Sequence, residues 1–149
     1  MPAVLATNDP LSRLVTTLES SLPMYLADSG LQTYPGADEI RAALARLVDE
    51  HRGIVGRAGA ILDEREMVVP RPTYPMSFTA LHDTDLRHLL PRIILGLRRQ
   101  SDACASIAAS AERTDAAAAE LGTEAAASTR RHLEGLERLV ARPASATAP

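Results

Sequence analysis

The chain of 149 residues has no lysine and no tryptophan, a single cysteine, and only four aromatic residues, Tyr25, Tyr34, Tyr74 and Phe78. Each shortage narrows the choice of fold. Sandwiches and barrels cover their pleated faces with aromatic and β-branched side chains, so the scarcity of aromatics counts against an all-β architecture. One cysteine cannot close an intrachain disulfide, and Cys104, between Ala103 and Ala105 on an apolar stripe, reads as a packing residue. The formal net charge of −3 leaves no basic footprint for nucleic acid. Arg98–Arg99 and Arg130–Arg131 are isolated dipeptides that read as solvated or ion-paired. No apolar run approaches the roughly 20 residues needed to cross a bilayer; the best, Leu89 to Leu97, is interrupted by Pro91 and Arg92. The opening MPAVLATNDP lacks the charged and apolar regions of a signal peptide. The expectation is a soluble, cytoplasmic protein with neither nucleic acid nor membrane as partner.

What the chain does hold is 26 Ala, 20 Leu, 16 Arg and 10 Glu, nearly half of it, which is the composition of long packed helices. The spacing of apolar residues divides it into four. Asn8-Asp9-Pro10 reads as a cap followed by proline in the first turn. A first helix is predicted over residues 10–28, with Leu11, Leu14, Val15, Leu18, Leu22 and Tyr25 on one face and a kink at Pro23. Asp38 is the predicted cap of a second helix, 38–65. Its seam, Ile40, Leu44, Leu47, His51, Ile54, Ala58 and Ile61, alternates steps of four and three. Pro70, Pro72 and Pro75 keep the next stretch out of helix, and its length suits a crossover between bundle halves.

Ser77 or Thr79 is the predicted cap of the third helix, whose stripe runs Phe78, His82, Leu86, Leu89, Leu90 and Ile93 and resumes in phase after Pro91. Its alanine-rich end offers a surface on which a second copy or another protein can pack. Asp115, or else the Gly122-Thr123 pair, caps the fourth helix, with Leu121, Ala125, Ser128, His132, Gly135 and Leu139 as its seam. An all-α four-helix bundle over 10–141 buries these stripes most economically, with a long connection between the second and third helices. Residues 1–9 and 142–149 are expected to be tails, the second disordered.

In such a bundle the informative residues are polar groups on apolar faces, because burying them costs energy unless they find partners. His51, His82 and His132 fall on three different seams. Asp85 follows His82 by three residues, Glu19 edges the first stripe, and Glu50 borders the second. Depth gives a coarse check. From the end where the second helix gives way to the third, His51 is about 14 residues in, Asp85 about eight and His132 about nine, a spread of about 9 Å. Carboxylates and neutral imidazoles drawn from four helices suit iron, manganese or zinc. The alternative is a metal-free bundle in which these side chains form a hydrogen-bond network. The chain has no Gly-rich phosphate loop, no Cys-x-x-Cys and no nucleophile elbow.

Four helices, a long second connection, and histidines at 51 and 132 make residues 10–141 similar to the ferritin-like superfamily of bacterial four-helix bundles. In its metal-binding members the first and third helices each supply a glutamate, and the second and fourth each supply Glu-x-x-His. The resemblance implies Glu19 and Asp85 as the two carboxylates and His51 and His132 as the histidines, with Glu50 and His82 as further candidates. Val48 and Thr129 stand where the motif glutamates belong. The implied site is therefore mononuclear, for one transition metal, rather than a di-metal centre.

Overall fold

In the computed structural model, which describes residues 8–142, every regular element among the described residues is helical. The order is α1 (Pro10–Glu19), α2 (Leu22–Asp28), α3 (Asp38–Glu64), α4 (Leu86–Ala111) and α5 (Ala116–Ala141), with 3₁₀ turns at Leu31–Thr33 and Met76–Leu81. The predicted tails lie outside the described residues except for Asn8, Asp9 and Arg142. Asp9 caps α1, its carboxylate accepting the Ser12 N–H at 3.0 Å, and Arg142 pairs with Glu39 at 2.6 Å.

Capping decides where the helices begin, and in three places it differs from the sequence expectation. The first predicted helix is two. α1 stops at Glu19, the Ser21 hydroxyl accepts the Met24 N–H at 3.4 Å, and Pro23 occupies the first turn of α2, where its missing N–H costs nothing. Ala37 rather than Asp38 is the N-cap of α3; Asp38 and Glu39 lie in its first turn, where carboxylates favour the positive end of the helix dipole. The third helix starts not at Ser77 or Thr79 but at Leu86. Residues Met76–Leu81 form only a 3₁₀ turn, Asp83 adopts a φ of 67°, and the Asp85 carboxylate caps α4 by accepting the Arg87 N–H at 2.8 Å. From there α4 continues through Pro91 and the alanine-rich stretch to Ala111. Asp115 caps α5, and Gly122 lies within it.

The buried apolar side chains form two clusters. One takes Leu26 from α2, Leu44 and Leu47 from the first half of α3, Leu90 from the first half of α4, and Leu136 from the end of α5. The other takes Leu14 and Leu18 from α1, Ile54 and Leu62 from the second half of α3, Ile107 from the second half of α4, and Leu121 from the start of α5. Helices α3 and α4 thus run in the same direction, and α1–α2 and α5 run opposite to them. The connection between α3 and α4 has to travel the length of the bundle, and its packing follows that path: Met67 lies against the second cluster, Tyr74 and Phe78 against the first. Around the bundle α1 packs on α3, α3 on α5, α5 on α4 and α4 on α1, while α3 and α4 barely touch across the diagonal. Each helix is antiparallel to both neighbours.

The α4–α5 pair is the most intimate contact in the molecule. A Cβ placed on Gly122 would lie 3.1 Å from the Ala108 Cβ and 3.2 Å from its Cα, so the two backbones approach as closely as small residues allow. Gly122→Leu should lower the free energy of unfolding by about 1–3 kcal/mol through overpacking. By contrast Gly53, where an added Cβ meets nothing within 4 Å, should gain about 1 kcal/mol on substitution by alanine. Urea denaturation of the two variants checks both directions.

Candidate functional site

Between the two apolar clusters every long helix turns polar at the same level. His51 follows Leu47 and Val48 on α3 and precedes Ile54 and Val55. On α4, Gln100 and Ser101 lie between Leu97 and Cys104, and on α5, Ser128 and Thr129 lie between Ala126 and Leu133. These five polar residues are all buried, His51, Ser128 and Thr129 completely. The fourth corner is the α1–α2 break, where Ser20 and Ser21 separate Leu18 of one cluster from Leu22 of the other.

The layer is stitched across helices. The Gln100 amide donates to Thr129 Oγ1 at 3.1 Å, and that hydroxyl donates to the Ala125 carbonyl at 2.7 Å. Gln100 Nε2 also lies 3.4 Å from His51 Nδ1, which accepts when the imidazole proton is on Nε2. His51 Nε2 itself has no hydrogen-bond partner, and the His51 ring meets that of His132 edge-on, with centroids 5.9 Å apart. Arg130 Nε donates to Ser101 Oγ at 3.2 Å.

At the solvent edge of the layer, His132 Nε2 lies 3.1 Å from Glu50 Oε2, and Arg131 pairs with the other oxygen of Glu50. The Glu50 carboxyl is held below the usual range, first by the Ser128 hydroxyl turned toward it, although outside strict hydrogen-bond geometry, and then by His132 and Arg131 against a partial loss of solvation. His51 is lowered from its ordinary 6.5 to about 4 by burial, with the His132 charge adding to the effect and Glu50 opposing it. The imidazole in the core is therefore neutral at pH 7.

Of the residues picked out from the sequence, the fold brings Glu50, His51 and His132 together and disperses the rest. Asp85 is not an inward ligand: it is the exposed cap of α4, beside the Pro35–Gly36 turn, where the Leu86 N–H donates to the Pro35 carbonyl at 2.8 Å. The connection between α3 and α4 spans the bundle, so Asp85 lies at the end opposite the one from which its expected depth was counted. Glu19 ends α1 half-buried; burial and then the Asp28 charge raise its pKa, with Arg52 opposing. Arg52 and Tyr74 both bind Asp28, the former at 3.0 Å. His82 lies on no helix and is exposed, its Nε2 2.7 Å from the Tyr25 hydroxyl. Among the described residues no three His, Cys, Asp or Glu side chains gather in a geometry that could hold a metal ion. The Cys104 thiol, pushed up to about 12 by burial, is no nucleophile at neutral pH.

Because the folded-state pKa of His51 lies below its unfolded value, the unfolded chain binds the extra proton first. The associated stability is complete above pH 6.5 and is lost as the pH falls through about 4. Unfolding free energy should drop by up to about 3 kcal/mol across that window, and His51→Gln should flatten most of this slope in urea titrations at successive pH values. Thr129→Val leaves Gln100 short of its acceptor and should cost about 1–3 kcal/mol at pH 7.

Compared with known proteins, the chain matches no family model, no curated protein and no solved structure.

Proposed function

We propose that the chain is a metal-free helical bundle of ferritin-like ancestry, in which the polar mid-layer fixes helix register and the exterior serves as a structural or protein-interaction surface. The observation that carries this reading is that the seam side chains are engaged with one another. His132 is bound to Glu50, and Gln100 bridges His51 and Thr129. The two carboxylates that a ferritin-like site would draw from its first and third helices cap or border other elements instead. Thr129, at the position of a motif glutamate, contributes a neutral hydroxyl that receives the Gln100 amide.

The ancestry is supported by topology: a parallel diagonal pair joined by a connection along the bundle is the arrangement of ferritin-like chains with one long crossover. A buried polar layer suits a register-setting role, since any slide of one helix along another would break its hydrogen bonds. On the crossover, Val68 and Met76 are 79% and 84% exposed, apolar surface of the kind that partners cover.

Expression with iron, manganese and zinc supplied, followed by elemental analysis, tests the proposal. It anticipates less than about 0.1 ion per chain and no rise in melting temperature on adding any of the three, because a bound structural ion would stabilise the fold. A stoichiometric ion lost together in His51→Ala and His132→Ala would overturn it in favour of a mononuclear site built on Glu50, His51 and His132.

A further inference from the structure

Between the α1–α2 break and α4 lies a cleft of about 590 Å³, within the range that encloses most of a drug-sized ligand. Leu22, Pro23, Phe78, Ile93 and Leu97 give it apolar walls. Arg92 and Arg99 are the only charged residues that line it among those described. Although the chain has 19 acidic residues, none faces this cleft, and neither arginine takes part in an ion pair among the described residues. Seven positions apart on one helix, Arg92 and Arg99 share a face, with a rise of about 10 Å between their Cα atoms that two long side chains can span. Gly96 sits between them, and a Cβ placed there meets nothing within 4 Å.

Two polar groups complete the cleft. The Ser20 side chain is part of its lining, although its hydroxyl oxygen is shielded from solvent and has no hydrogen-bond partner. Gln100, the bridging amide of the mid-layer, forms part of the wall. We infer that this cleft binds an amphipathic carboxylate, its aliphatic body against Leu22, Phe78 and the exposed Leu95 and its head group held by Arg92 and Arg99. Planar guanidinium groups match a carboxylate with paired donors, and apolar walls without an acidic neighbour reject a cationic head. The site shares Gln100 and the Ser20–Ser21 corner with the mid-layer but none of Glu50, His51 and His132, and stands whether or not those residues hold an ion.

Calorimetric titration of the full chain with decanoate, decanol and decyltrimethylammonium, each below its micellar range, reads out the head-group preference. Decanoate binds one per chain and more tightly than either analogue. Arg92→Ala/Arg99→Ala weakens decanoate about tenfold or more and leaves decanol unchanged. Gly96→Phe, filling the open space beside α4, abolishes binding of both. Methyl shifts of Leu22 and Leu95 in the unmodified chain locate the ligand without relying on a variant. Absence of binding, equal affinity for decanoate and the cation, or methyl shifts confined to other residues would overturn the inference. So would sedimentation showing a dimer that Gly96→Phe dissociates, which would assign the cleft to a second copy of the chain.

Discussion

Burial of a neutral imidazole at mid-height is the constraint around which the bundle is arranged. Removing His51 from water carries a desolvation cost, and a single interaction, with the Gln100 amide, offsets part of it. That contact exists only if α3 and α4 hold one register, and Gln100 in turn reaches Thr129 only if α5 holds the matching one. The apolar clusters above and below supply most of the burial, but Leu, Ile and Ala stripes accept a shift of one turn far more readily than a hydrogen-bonded layer does. The clusters supply cohesion, and in the proposed reading the layer selects among the ways of achieving it.

The same layer separates two electrostatic regimes. Inside, His51 is kept uncharged and Gln100, Ser128 and Thr129 are neutral by nature. At the edge, Glu50 and Arg131 carry the charge, and Glu50 meets both Arg131 and His132 directly. A carboxylate committed in this way is a poor free ligand or base, and the buried thiol of Cys104 is protonated.

Much of this was legible in the amino-acid sequence, and the gaps have physical causes. Asp9 and Asp115 were readable as caps because an acidic side chain precedes a clean run of apolar spacing. The start of α4 was not: Phe78, His82, Leu86 and Leu89 continue a helical period, yet Asp83 enters the left-handed region and ends any helix before Asp85. Spacing alone cannot register a backbone reversal. His51 and His132 stood out because a histidine on an apolar seam is conspicuous. Ser128 lay on the predicted seam and Thr129 at a motif position, but a small hydroxyl on a helix does not by itself announce a cross-helix hydrogen bond. The spacing Leu97, Gln100, Cys104 did carry the signal for the bridging amide. Asp85 was misplaced because its depth depended on whether the long connection turns back or runs the length of the bundle.

The crossover has a further geometric consequence. Helices α3 and α4 start at the same end and have 27 and 26 residues, and α5, with 26, returns to that end. His51 and Gln100 are therefore close to the midpoint of their helices, and Thr129 close to the midpoint of its own, each about 20 Å from either end at 1.5 Å per residue. Fraying from the helix ends would have to undo more than three turns before reaching the layer. Water and protons thus have their shorter path to His51 from the side, past His132 and Glu50. Those two residues close the core on that side.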